Sequence, residues 1–168
     1  MIPDPVRDHW MWRSEPHAGG EAVVFDVDGV LADATHRQDV LFGGPGRRKN
    51  WKAFFEMAGD DAVIEEVARL TELIDPTMCI VLLTARPTSI QRTTIDWLQQ
   101  HGLRWDVLVM RPEGDYRSSP DAKRMAVVEL RSAGFELKLA FDDDRRNVDM
   151  FHDEGIPCIY IHSGYYEA

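Results

Sequence analysis

An apolar run that ends in two acids and a glycine constrains this chain most: Val23-Val24-Phe25-Asp26-Val27-Asp28-Gly29. Val and Phe suit the pleated, buried surface of a strand. A strand that hands acids to its carboxyl end is how an open α/β sheet builds a reactive site. If the strand continued, Asp26 and Asp28 would share one face. Gly29 instead lets the backbone bend, so that both carboxylates can converge on a substrate. One acid can then act as nucleophile and the other as proton donor, which requires two carboxyls in unlike environments. Taken alone, the segment also reads as solvated acids in a turn.

The rest of the chain alternates. Apolar periodicity predicts strands at Ala22–Asp26, Cys79–Thr84, Asp106–Met110, Leu137–Phe141 and Cys158–Ile161. It predicts helices at Asp61–Ile74, Ser89–Gln100, Pro120–Ala133 and Arg145–Glu154. Alternation of this kind means parallel pairing, right-handed crossovers and helices on both faces. The expected fold is therefore α/β, a three-layer Rossmann-like arrangement around a parallel sheet of about five strands. With 168 residues there is room for one compact core. Residues 1–20, with their prolines and Gly19-Gly20, read as an irregular arm docked by Trp10 and Trp12, and 21–168 as a single domain. Residues 33–60 interrupt the alternation with Gly43-Gly44-Pro45-Gly46 and Arg47-Arg48-Lys49. A loop that long in a compact domain is more often functional than idle, and it reads as a flap over the first strand's end.

Composition narrows the classes. A formal charge of −10 argues against general affinity for nucleic-acid backbones, although a locally basic cleft can still focus on an anionic substrate. No apolar run approaches membrane-spanning length, and the amino terminus lacks the pattern of a secretion signal. Cys79 and Cys158 lie in strand-like runs and read as small buried hydrophobes, with a reducing cytoplasm as the expected setting.

Three further segments fall where chemistry would need them. Ile80-Val81-Leu82-Leu83 ends in Thr84-Ala85-Arg86. The Thr84 hydroxyl and the backbone N–H groups from Ala85 onward can hold a phosphoryl oxygen, or Thr84 can cap the next helix. Lys123 falls in the first turn of a helix, where the dipole mildly disfavours a cation; service as counter-charge to a carboxylate and a phosphoryl group would explain it. The strand Leu137–Phe141 ends in Asp142-Asp143-Asp144, acids that repel one another unless compensated. A hard divalent ion with oxygen ligands, Mg²⁺ by preference, is the natural compensator.

In this order (acid pair, Thr, Lys, acid pair, each at or beyond a strand end) the chain resembles the haloacid dehalogenase (HAD) superfamily of aspartate-dependent phosphotransferases over roughly residues 21–163. The resemblance implies that Asp26 is the nucleophile forming an aspartyl-phosphate and Asp28 the general acid/base. It also implies that Thr84, Ala85 and Lys123 bind phosphate, and that Asp26, Asp142, Asp143 and the backbone carbonyl of Asp28 hold Mg²⁺. Phosphoryl transfer between anions depends chiefly on a cation and on positioning, in agreement with this set. A proton-donating acid at Asp28 suits a phosphatase better than a dehalogenase, since halide leaves without a proton.

A closer resemblance is to the 3′-phosphatase domain of polynucleotide kinases. It rests on Met110-Arg111, Gly114-Asp115-Tyr116-Arg117, Lys123 six residues later, Leu139-Ala140-Phe141-Asp142-Asp143, Val148-Asp149-Met150-Phe151 and Gly155-Ile156-Pro157-Cys158. It implies a hydrolase that removes 3′-phosphates from nucleic-acid ends, with Arg111 and Arg117 as candidate phosphate contacts, which salt bridges to Glu113, Asp115 or Asp121 would equally explain. His36, near the site by chain distance, and Arg86, just after Thr84, are further candidate substrate contacts. Neither interval between motifs has room for a globular cap, so only the 33–60 flap and the 111–120 loop can roof the site. No Gly-x-x-x-x-Gly-Lys-[Ser/Thr] occurs in this sequence. Two other readings use the same residues: a phosphatase of mononucleotides or other small molecules, and a phospho-accepting receiver-type signalling module.

Overall fold

The computed structural model describes residues 7–17, 19–42 and 48–166. The glycine-rich part of the expected flap, 43–47, lies outside the described residues, as does the start of the arm. Among the described residues, eight strands and six α-helices follow in chain order: β1 Trp10–Trp12, β2 Gly20–Phe25, β3 Ala32–Asp33, α1 Gln38–Phe42, α2 Trp51–Glu56, β4 Ala62–Val63, α3 Glu65–Leu73, β5 Cys79–Pro87, α4 Gln91–Gln100, β6 Val107–Arg111, α5 Ser119–Ser132, β7 Phe135–Asp142, α6 Arg145–Asp153 and β8 Cys158–Tyr160.

The main sheet has six strands in the order β1-β6-β5-β2-β7-β8. Five are parallel, as the alternating pattern requires, and β1 adds antiparallel to the edge of β6 through Trp10↔Val109 and Trp12↔Val107. The arm expected to be irregular therefore contributes a strand. Its signal in sequence is weak because three residues between prolines gain strand structure only from the edge they pair with.

Successive residues of β2 face opposite layers. Val24 packs with Val81, Val109 and the α5 and α6 residues Val127, Leu130 and Phe151. Val23 and Phe25 pack with Ile80, Leu82 and the α3 and α4 residues Val67, Trp97 and Leu98. Both faces of the sheet are thus covered, and its strands read as continuous apolar runs.

The expected helix at 61–74 begins only at Glu65. Ala62 and Val63 are taken instead by antiparallel pairing with Asp33 and Ala32, which closes the base of the 33–60 segment. Within that segment α1 and α2 share a small apolar cluster of Ala34, Leu41 and Phe54, with Phe55 and Tyr165 against it. Tyr165 ties the flap to the chain's last segment. Its hydroxyl accepts from the Ala34 N–H at 2.8 Å and donates to Asp33 Oδ1 at 3.3 Å. Tyr165→Phe leaves the buried Ala34 N–H without that partner, so it should lower stability by about 1–2 kcal/mol. Hydrogen exchange should show faster exchange at the Ala34 amide, and unchanged protection there would show that the hydroxyl does not hold the flap.

Candidate active site

Strand register gathers the acids. In the parallel pair β2–β7, Phe25 lies opposite Phe141, their rings stacked at 4.6 Å. The next residues, Asp26 and Asp142, therefore leave the sheet side by side, and the Asp26 N–H donates to the Phe141 carbonyl at 3.0 Å. On the other side of β2, Phe25 pairs with Leu82, which puts Thr84 at the same carboxyl edge. Oxygens of Asp26, Asp142 and Asp143 all lie within 4.8 Å of one another, and all three residues are buried.

Lys123 completes the cluster. Ser118 caps α5 by accepting from the Asp121 N–H, and Pro120 occupies the first turn. This brings Lys123 inward, where its Nζ lies 2.7 Å from Asp142 Oδ2 and 3.1 Å from Asp26 Oδ1. Burial would lower the lysine's pKa, but the charges of Asp142 and Asp26 outweigh it and hold the ammonium firmly protonated. Asp142 is further fixed by Asn147 Nδ2 at 3.1 Å and the Asp144 N–H at 3.0 Å. Asp144, the third acid of the run, turns away from the cluster. It caps α6 through the Arg146 N–H and pairs with the Arg146 guanidinium.

One ammonium cannot compensate three buried carboxylates. Burial raises Asp26 well above the ordinary carboxylate range against the pull of Lys123, and burial likewise pushes Asp143 up to about 6. Both carboxylate oxygens of Asp143 are buried without a hydrogen-bond partner. A buried, unpartnered carboxylate beside two other acids is what a hard divalent cation with oxygen ligands would satisfy, so the donor set fits a bound metal. Gly29 is part of the same arrangement: its φ is +81°, and a Cβ there would overlap the Asp143 carboxylate.

Asp28 stands apart from the three. Its carboxylate is held by Arg37 Nη2 at 2.5 Å and by Arg86 Nη2 at 2.7 Å. Both arginines are fully buried and also bind Asp61, at 2.6 Å and 3.0 Å. Burial would raise Asp28, but the Arg86 and Arg37 charges prevail and lower it below the usual range. The two acids of the opening strand thus sit in opposed environments, one raised and one lowered.

The other expected contacts are redistributed. Arg86 does not face a substrate: besides Asp28 and Asp61 it donates to Thr94 Oγ1 at 3.1 Å. His36 bonds Asp61 Oδ1 at 2.8 Å, and its neighbour Arg37 is the residue that reaches Asp28. Thr84 is buried and its Oγ1 accepts from the Arg86 N–H at 3.1 Å, which leaves its own proton to donate. Thr84, Ala85, Lys123, Arg111 and Arg117 are among the residues that line a cleft of about 30 Å³. Arg117 is committed to Asp115, which it holds down to about 2. Arg111 donates through Nη1 to the Arg117 carbonyl, while its buried Nε has no partner.

Arg37, Asp61, Asn147 and the packing role of Gly29 escape a reading of the sequence. Gly59-Asp60-Asp61 reads as a helix start, and nothing local marks Arg37 as the flap residue that turns inward. Their common signal is spatial: buried charges need partners from distant segments.

The model of the polynucleotide kinase PNKP phosphatase domain matches residues 20–166. Among solved structures, a chain of the Pnkp1/Rnl/Hen1 RNA repair complex superposes with a TM-score of 0.69 at 23% identity, over 90% of this chain and 45% of that chain. A class C acid phosphatase from Bacillus anthracis with tungstate bound gives 0.55 at 17% identity, over 90% of this chain and 69% of the other. A haloacid dehalogenase-like hydrolase from Streptococcus pneumoniae gives 0.56 at 12% identity, over 86% and 90%. With that family match, the fold is that of the haloacid dehalogenase superfamily of phosphatases. Within it, the chain belongs to the family of polynucleotide kinase phosphatase domains. It spans about half the length of the repair-complex chain it resembles. No helix among the described residues is long and apolar enough to cross a membrane.

The charge imbalance has a measurable consequence. Asp143 ionises less readily in the fold than in the unfolded chain, so its contribution in metal-free protein is neutral below about pH 4 and destabilising above about 6. Metal-free stability should therefore fall as pH rises through that window. Asp143→Asn should raise metal-free stability at neutral pH by roughly 1–3 kcal/mol and abolish the gain in Tm on adding Mg²⁺. A Tm gain with Mg²⁺ equal to that of the parent would remove Asp143 from the cation site.

Proposed function

We propose that this domain is a Mg²⁺-dependent 3′-phosphatase of nucleic-acid ends, working through an aspartyl-phosphate at Asp26. The observation that carries the reading is the divergence of two neighbouring acids: Asp26 in a buried carboxylate cluster beside Lys123, and Asp28 clamped by Arg37 and Arg86. Asp26, Asp142, Asp143 and the Asp28 backbone carbonyl would hold Mg²⁺, which when bound offsets the negative charge of nucleophile and phosphoryl group.

The chain's own residues divide the work. Asp26 attacks phosphorus; its Oδ–P bond forms as the bond to the ester oxygen breaks. The Lys123 ammonium, the Thr84 hydroxyl and the Ala85 N–H steady the phosphoryl oxygens. Asp28 gives a proton to the departing oxygen. A dianionic phosphoryl group close to Asp28 favours the protonated carboxyl, countering the two arginines that keep it ionised in the resting site. In the second half Asp28, again ionised, takes a proton from water as the water oxygen bonds to phosphorus and Asp26 leaves, releasing inorganic phosphate. General acid–base assistance of this kind contributes on the order of 10²–10⁴-fold.

Arg37 and Arg86 act through Asp28 and are positioning residues. Asp61 holds both, and the Trp97 indole donates to the Asp61 carbonyl at 2.8 Å, fixing the frame to α4. The choice of a nucleic-acid end over a small metabolite is supported by the family match and by a flap of two short helices in place of a globular cap.

The experiment compares a 3′-phosphorylated oligonucleotide with mononucleotides and sugar phosphates. Preference for the oligonucleotide is expected, and preference for a mononucleotide would favour a nucleotidase. Asp26→Asn should abolish turnover, and chelation should do the same until Mg²⁺ is restored. Arg86→Gln should lower kcat at least roughly tenfold and move the acidic limb of the pH–rate profile, set by Asp28 as the base of the second half, upward, because Asp28 loses a charge that lowers it. An unmoved limb would sever Arg86 from Asp28.

A further inference from the structure

The flap carries an aromatic surface that the chemistry above does not use. Trp51 is 48% exposed and Phe42 60% exposed. Trp51 is not loose: it stacks on Phe55 with 20° between planes and meets Phe54 edge-on, each at 5.7 Å between centroids. Lys49 bridges the two exposed rings, its Nζ 5.5 Å from the Phe42 centroid and 5.4 Å from that of Trp51. Arg48 and Lys52 are exposed beside it. The described acids of these two helices are Asp39 and Glu56, and Glu56 pairs with Lys52 at 3.7 Å. In a chain of net charge −10, this cluster of cations is local and set among aromatic faces.

The surface is wired to the site through packed side chains. Phe54, buried beneath Trp51, lies 4.2 Å under the Arg37 guanidinium, and its carbonyl accepts from Arg37 Nη1 at 3.2 Å. Arg37 in turn holds Asp28. The platform thus lies on the outer side of the segment whose Arg37 reaches the active site.

We propose that Trp51, Phe42 and Lys49 form a platform that stacks a nucleobase of a single-stranded polynucleotide whose 3′-phosphate occupies the active site, a role that rests on the 3′-phosphatase reading. Aromatic faces with interleaved cations suit a strand whose bases offer π-faces and whose backbone is anionic, without regard to sequence. The core of a protein-docking surface would be depleted in lysine, whereas here lysine lies between the rings.

The test uses the full chain with Trp51→Ala and Trp51→Phe. For a 3′-phosphorylated single-stranded oligonucleotide, Trp51→Ala should raise KM by roughly 5–100-fold with kcat nearly unchanged, the range expected for loss of one stacked base. Trp51→Phe should recover most of the loss. Both variants should hydrolyse p-nitrophenyl phosphate as the parent does, because that ester is too small to reach the flap. Fluorescence anisotropy with a 3′-hydroxyl oligonucleotide reads the platform independently of turnover, and Trp51→Ala should weaken that binding too. Unchanged oligonucleotide binding in Trp51→Ala would overturn the platform and leave the surface to a protein partner. Equal losses on both substrates would overturn it as well, exposing a structural effect. Failure of the parent protein to hydrolyse the oligonucleotide while p-nitrophenyl phosphate turns over would instead overturn the reading beneath it.

Discussion

Three carboxylates and one ammonium share a small buried volume at the carboxyl edge of this sheet, and the rest of the site follows from that imbalance. Parallel register between β2 and β7 leaves Asp26 and Asp142 no choice but to be neighbours. Lys123 neutralises part of the charge, and Asn147 and a backbone N–H fix Asp142. Asp143 is left with two buried, unpartnered oxygens. A protein tolerates such an arrangement where a cation completes it, which supports the proposal that the cluster is a reaction centre.

The second arrangement is the four-charge frame of Asp28, Arg37, Arg86 and Asp61. It draws one residue from each of four segments: the turn after β2, the flap, the end of β5 and the approach to β4. Every member but Asp28 is fully or almost fully buried, and only the Asp28 side chain, 21% accessible, faces outward. The frame thus fixes one carboxylate and, through Arg37, ties the 33–60 segment to the sheet. Tyr165 and the Ala34–Leu41–Phe54 cluster hold the outer side of the same flap.

Much of this is legible in the chain because the informative residues sit at strand ends. Apolar runs covered on both faces mark parallel strands, and acids, Thr84 or glycine at their ends mark the edge where such sheets react. Asp26, Thr84, Asp142 and Asp143 can be placed in that way, and Lys123 by its unusual position near the start of a helix. Arg37 and Asp61 cannot, since their roles depend on a pairing between Arg37 in the flap and Asp61 at its base that no local pattern encodes. The start of α3 is displaced from its expected position for the same reason: Ala62 and Val63 have helical neighbours in sequence and a strand partner in space. Trp10-Met11-Trp12 becomes a strand only by borrowing the edge of β6. Arg86, expected to contact substrate, is instead drawn inward by carboxylates at 28 and 61.

The most direct test of the account is chemical trapping of the phosphorylated enzyme. Protein mixed with Mg²⁺ and an oligonucleotide bearing a radiolabelled 3′-phosphate is quenched in acid during turnover and counted for bound label. In a parallel sample borohydride reduces the acyl phosphate, expelling phosphate and leaving homoserine at the labelled position, which peptide mass spectrometry maps. The account predicts label on the protein at Asp26 alone. Turnover with no label on the protein, or label mapped to Asp28, Asp142 or Asp143 in place of Asp26, would contradict it.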